Sequence, residues 1–348
     1  MEYLYIVAIS LLLSFIIERY NSRIALLVLS LFLSSICGLR GPEVGIDTEN
    51  YIRYLNDIQL RGVGYGSEWG FSLISYYLMY FFQLPYIPLF IYSLITNFLI
   101  IYRIWEFKDK ASFPLMILIF LAFYYPYTFI IVRQMLAISL IFWGSRYIEK
   151  GKLSRYLLYN VIAITFHTSS IICLVLAFIA YLKRAKKQFR LAIGVCCFFL
   201  LIICLIALET RLYKYQQYEG TQEFTFQIMT IVELLVYFYV AFLSGNIYKP
   251  SFCISKSKRW FGISKQISKT YGLGIILYAC GMFMTFTNRI GLYFLMFGIP
   301  FWGQLSCARY HKRKYNILIL MLIFIKLFSI IMSENRITAN YYTFLNLL

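Results

Sequence analysis

Acidic residues are scarce in this chain: 15 Asp and Glu stand against 33 Lys and Arg, and only 14% of the 348 residues are charged. Histidine is scarcer still, with two in all. Two histidines and dispersed carboxylates give a zinc or magnesium cage too few ligands. No P-loop, G-x-S-x-G or G-x-G-x-x-G pattern occurs, so the usual signatures of nucleotide-driven and serine-nucleophile chemistry are missing. The eight cysteines form no Cys-x-x-Cys and lie mostly within apolar runs, where they read as small buried hydrophobes. No unit of about 20–50 residues repeats, which excludes a solenoid. The apolar runs do not alternate as the strands of a membrane barrel would.

What is present is hydrophobic. The composition is 61% hydrophobic and 20% aromatic, with mean hydropathy +0.71, against roughly 45–50% apolar in soluble domains. Runs of about 17–20 apolar residues match the thickness of a bilayer core. The expected fold is all-α: a single polytopic membrane domain over residues 1–348 with about 11–12 transmembrane or re-entrant helices. A net charge of +18 would suggest nucleic acid in a soluble protein, but its distribution argues against that partner. Five short linkers (Arg103–Lys110, Arg146–Arg155, Lys183–Arg190, Lys249–Lys269 and Arg309–Lys314), with Arg19 and Arg23, hold 24 of the 33 basic residues and, counting Glu18 beside Arg19, only four acids. This is the asymmetry of cytoplasmic loops.

Taken in order, Tyr3–Ile17 and Ile24–Leu39 read as the first spans. The first lacks a basic segment before it and so reads as a membrane helix rather than a cleaved signal. The basic turn between them is cytoplasmic on this reading, and loop 40–68 faces outside. In that loop Tyr51, Ile52, Leu55 and Ile58 share one face of a short surface helix. Segment 69–104 admits two spans or one span plus a re-entrant piece, and only the second keeps Arg103–Lys110 inside. Phe113–Ile131 and Met135–Ile148 pair about a turn at Arg133-Gln134. Residues 155–182 need an even number of crossings but are short for two full spans, and suggest a tight hairpin or a re-entrant element near His167. Leu191–Leu208, Gln227–Leu243, Tyr271–Thr287, Ile290–Ser306 and Ile317–Met332 complete the spans, with Asn288-Arg289 in an outer turn.

The candidate chemistry sits on one face. Arg40, Arg133 and Arg289 each stand in an otherwise uncharged stretch beside apolar sequence, where a guanidinium is costly unless paired. Their planar forks suit phosphate oxygens, and snorkelling to the interface is the bland alternative. Asp47 fits a helix N-cap or a general base. Glu68 fits a helix-start charge or a site acid. His167, in Phe166-His167-Thr168-Ser169, fits a packed histidine or a base. Glu233 and Lys326 lie within spans and suit an intramembrane pair. His311, in a basic linker, carries no expected role.

The motifs, in order, resemble the EpsG branch of the Wzy-type polysaccharide polymerases. They are Arg40 with Gly45-Ile46-Asp47-Thr48-x-x-Tyr51; Glu68-x-Gly70-Phe71; Arg133-Gln134-x-x-Ala137-x-Ser139; Phe166-His167-x-Ser169; and Asn288-Arg289 with Tyr293. Asn340-Tyr341-Tyr342 is a looser echo, and Ile46 replaces the Thr often seen in the family's Gly-Thr-Asp. The resemblance implies transfer of a growing glycan from undecaprenyl diphosphate to the next lipid-linked repeat unit, at the outer face of the cytoplasmic membrane. It implies neither metal, nucleotide nor other cofactor. A flippase and a chain-length regulator are the implied partners, beside membrane lipid. On that chemistry Arg40, Arg133 and Arg289 hold the diphosphate, and Asp47, then His167, with Glu68, serve acid–base catalysis. Tyr51, Trp69 and Tyr293 offer faces for sugars. Three rival readings stand beside it: a flippase or transporter of the lipid-linked oligosaccharide, a membrane acyltransferase using His167, and a ligase moving finished glycan.

Overall fold

Serine at position 22, proline at 126 and a left-handed glutamine at 83 mark three of the breaks between helices in this chain. Its computed structural model describes residues 2–63, 68–182, 265–280, 285–307 and 312–337, with Leu235. Every regular element among them is helical. In order these are α1 (Glu2–Tyr20), α2 (Arg23–Gly38), α3 (Thr48–Arg61), α4 (Trp69–Phe82), α5 (Tyr86–Trp105), α6 (Phe113–Phe123), α7 (Tyr125–Ile130), α8 (Val132–Glu149) and α9 (Leu153–Phe166). A 3₁₀ segment (Thr168–Cys173) leads into α10 (Leu174–Leu182), and α11 (Lys265–Cys280), α12 (Thr285–Leu295), α13 (Gly298–Ser306) and α14 (Lys312–Ile337) follow. The expected spans Leu191–Leu208 and Gln227–Leu243, with Glu233, His311 and Asn340–Tyr342, lie outside the described residues.

Among the described residues, three helices are long and apolar enough to cross a membrane unaided, at Tyr3–Tyr20, Tyr86–Trp105 and Arg313–Ile331. The others are shorter pieces packed on them, with α2 against α5, α5 against α8, and α8 against α9. Non-straight chain inside a bilayer is tolerated where neighbouring helices bury it.

The two ends of the bundle differ. At one end Arg103 pairs with Glu106 at 2.8 Å and with Glu149, and Arg146 pairs with Glu106 at 3.0 Å. This network ties the last turns of α5 and α8 together among the basic linkers. The opposite end carries Arg40, Glu68, Arg133 and His167. Because Glu68 precedes α4 at that end and Arg103 closes α5 at the other, residues 69–105 make one net crossing. Helix α5 supplies it, its 20 residues reaching about 30 Å. Helix α4 folds back on α5 through Ser75 Oγ and Tyr92 OH at 2.7 Å and a stack of Phe71 on Tyr92 at 4.7 Å. Of the two sequence readings of this segment, the structure has the one with a single span.

Two expected turns are displaced. Arg133-Gln134 lies in the first turn of α8, and the reversal occurs earlier, around Tyr124 and Ile131. Pro126 removes an N–H and crowds the carbonyl four residues back, so Phe113–Ile131 cannot run as one helix. Asn288-Arg289 likewise lies within α12 rather than between two helices. Ile290–Ser306 is divided between α12 and α13. The hairpin expected near His167 is present: α9 ends there, and the 3₁₀ segment runs back until the Cys173 carbonyl accepts from Tyr156 OH at 2.7 Å.

Candidate active site

Glu68 is the centre of the polar end. Its side chain is 5% exposed, and both carboxylate oxygens are engaged. Oε2 accepts from Arg133 Nη1 at 2.8 Å, and Oε1 contacts His167 Nδ1. These residues come from three separate parts of the chain: the start of α4, the first turn of α8 and the end of α9. Gly70 makes the meeting possible. A Cβ there would sit 2.3 Å from Thr165 Oγ1, so only glycine lets α4 lie close enough to α9 for Glu68 to reach His167. Burial acts to raise the pKa of Glu68, but His167 and Arg133 outweigh it and hold the carboxyl below its ordinary value of 4.5. An ionised carboxylate accepts the Nδ1–H, which leaves Nε2 with a lone pair. His167 keeps 25% of its side chain exposed.

Arg133 is held in an aromatic box. Its guanidinium carbon lies 5.5 Å from the Tyr51 ring, 5.4 Å from Tyr54 and 5.4 Å from Phe71. Contacts of this kind contribute about 0.5–2 kcal/mol each. Tyr54 OH is fixed by Ser72 Oγ at 2.8 Å, so α3 and α4 clamp the arginine together. Burial, helped by Asp47 and opposed by Arg133, raises the Tyr51 phenol, which therefore stays protonated.

Arg40 is used differently. It is 1% exposed, with Nε donating to Thr48 Oγ1 at 2.8 Å, Nη2 to the Phe129 carbonyl at 2.9 Å and Nη1 to the Cys37 carbonyl. Among the described residues it has no carboxylate partner. It binds the loop after α2 to α7 and to the first residue of α3. Gly45, at φ +87°, completes that latch, since a Cβ there would meet the Phe129 carbonyl oxygen at 2.9 Å. Asp47 occupies the N-cap position of α3, yet its side chain makes no capping bond. The carboxylate is half-buried, with no ion pair to Arg40, Arg133 or Arg289 among the described residues.

Helix α12 closes the site from the far end of the chain. Gln134 Nε2 donates to the Arg289 carbonyl at 2.5 Å, and Ser169 Oγ and Tyr293 OH lie 3.1 Å apart. The Arg289 side chain is exposed, whereas Tyr293 is wholly buried. Trp69, beside Glu68, is 64% exposed. The structure thus joins Glu68, His167, Arg133 and Tyr51 directly and brings the backbone of Arg289 to their edge. Tyr54, Ser72, Thr48 and Gln134 complete the site. Tyr54 was legible as the residue three positions after Tyr51 on the same helix; the others gave no chemical signal of their own. Among the described residues no group of three or more His, Cys, Asp or Glu gathers to hold a metal.

A family model described as the EpsG family matches residues 23–346. The chain belongs to the EpsG family. The match runs through every residue of the site, from Arg40 to Tyr293. No curated protein and no solved structure matches this chain. Membership indicates a membrane-embedded polysaccharide polymerase of glycosyltransferase type, in exopolysaccharide or O-antigen biosynthesis. In this EpsG-family protein Arg133 of α8 and His167 at the end of α9 meet on the carboxylate that precedes α4, with Tyr51 of α3 against Arg133.

Proposed function

We propose that this EpsG-family protein transfers a growing glycan from undecaprenyl diphosphate onto the next lipid-linked repeat unit, with His167 as general base. The observation that carries the reading is Glu68 bridging His167 and Arg133. A carboxylate fixed on Nδ1 sets the tautomer and stabilises the imidazolium formed when Nε2 takes a proton. The acceptor hydroxyl loses that proton as its oxygen bonds to the anomeric carbon of the donor. The bond from that carbon to the diphosphate oxygen breaks, and the diphosphate leaves with the electron pair. Guanidinium groups around the site offset the charge that develops on it. Trp69 offers an exposed ring face to a sugar. No step draws on a nucleotide. The excess of basic residues at the opposite end supports a site facing away from the cytoplasm, at the cytoplasmic membrane.

The test is polymer length in cells. With His167→Ala or His167→Gln present in the membrane at normal amounts, single lipid-linked units should accumulate and long glycan should disappear. Wild-type chain lengths in both variants would reject His167 as the base. Asp47→Asn should keep at least part of the polymer, since Asp47 makes none of these contacts; total loss would return the base role to Asp47.

A further inference from the structure

The three arginines are not equivalent, and the difference points to a residue with a role of its own. Arg40 spends its donors inside the protein, on Thr48, Cys37 and Phe129. Arg133 is neutralised by Glu68 and boxed by three rings. Arg289 is exposed and forms no ion pair among the described residues. Glu68 and Arg133 are paired at 2.8 Å, so their charges offset each other. Of the three, Arg289 is the exposed guanidinium with no ion pair among the described residues, open to a bound anion.

Its backbone, by contrast, is fixed. The Gln134 side chain is 2% exposed, and its amide reaches the second lone pair of the Arg289 carbonyl at 2.5 Å. One turn further along α12, Tyr293 is held by Ser169, two residues beyond His167. Two polar contacts four residues apart set both the height and the rotation of α12. One of them starts beside Arg133 and the other beside His167. Gln134 is buried and spends its amide on the carbonyl of another helix rather than filling space alone. Here it is the link between the residue next to the Glu68 pair and the base of the unpaired guanidinium.

We infer that Gln134 is a positioning residue that aims Arg289, and that Arg289 is the guanidinium that meets the anionic diphosphate of the lipid carrier. The identity of that anion rests on the polymerase reading; the inequality of the arginines does not. The full-length protein in phosphatidylcholine nanodiscs, titrated with farnesyl diphosphate and with farnesol, tests the assignment. The wild type should prefer the diphosphate. Arg289→Ala should lower diphosphate affinity about 10–100-fold, the range for losing one charge-assisted hydrogen bond of about 1.5–3 kcal/mol, and leave farnesol binding unchanged. Arg289→Gln serves the same purpose if the alanine variant does not accumulate. Gln134→Met, close in volume but without the donor, should weaken diphosphate binding several-fold while the melting temperature stays near that of the wild type. In a polymerisation assay it should raise the donor concentration for half-maximal rate and leave the maximal rate intact. Arg155→Ala, at the opposite end of the bundle, should change neither ligand. Wild-type diphosphate affinity in Arg289→Ala or in Gln134→Met would overturn the assignment, as would an equal loss in Arg155→Ala. If His167→Ala still made long polymer while Arg289→Ala lost diphosphate binding, the polymerase mechanism would fail and the anion site would stand.

Discussion

Glu68 is the residue on which acid sensitivity should turn. Its carboxyl is held below the ordinary 4.5 by His167 and Arg133. A depressed folded-state pKa stabilises the native protein at every pH above the unfolded value, and that contribution is lost as pH falls through the folded value. Melting temperature followed below about pH 5 should therefore drop in the wild type, and Glu68→Gln should flatten that part of the curve. The same substitution removes the partner that fixes His167, so long glycan should be lost at neutral pH. Arg40 makes a contrasting case. Arg40→Ala strands the Phe129 and Cys37 carbonyls in a buried region, at about 1–3 kcal/mol each. The expected outcome is a lower melting temperature together with lower polymer yield, whereas His167→Ala, which leaves Arg133 on Glu68, should abolish long polymer with a smaller fall in melting temperature. Equal thermal behaviour in the two variants would contradict the division between latch and chemistry.

At the scale of elements, the site depends on how near α4 lies to α9. Gly70→Ala places a methyl 2.3 Å from Thr165 Oγ1 and 2.7 Å from its Cβ, so α4 must shift and carry Glu68 with it. Polymer should be lost in Gly70→Ala, and Thr165→Gly in the same chain should restore part of it; failure of the pair to recover would mean that the contact does not govern the site. Such a contact cannot be read from one sequence, since glycine next to Glu68 has no partner until the packing supplies Thr165. The helical class and the reversal at His167 were legible because hydropathy acts locally; of the basic linkers, residues 183–190 lie outside the described residues and 265–269 and 312–314 are helical. The turns at 133–134 and 288–289 were placed wrongly for the converse reason. Polar residues were assigned to loops, but both pairs lie within protein-packed helices, where the Gln134 amide of α8 donates to the Arg289 carbonyl of α12. Arg40 shows the same limit. Its isolation in the sequence suggested a ligand, and its burial became visible only with the Phe129 carbonyl 89 residues away.

For the whole molecule, the two ends impose opposite demands on the surrounding water. The Arg103–Glu106–Arg146–Glu149 network and the basic linkers favour the cytoplasmic side, because lysine and arginine in short loops resist translocation. The site end has near-balanced charge and the exposed residues Ile46 and Leu60 on the loop and on α3. If this polarity sets topology, a cysteine placed at Leu60 should react with a membrane-impermeant maleimide added to intact spheroplasts. A cysteine at Lys150, exposed at the basic end, should react only after lysis. Labelling in the reverse order would put Glu68 and His167 on the cytoplasmic side, where a nucleotide-linked sugar would be a better donor than a lipid diphosphate. The chemistry of the Glu68–His167 pair would survive that result, because a base and its orienting carboxylate serve either leaving group. The lipid-linked donor would not, since the side of the membrane decides which activated sugar the site meets.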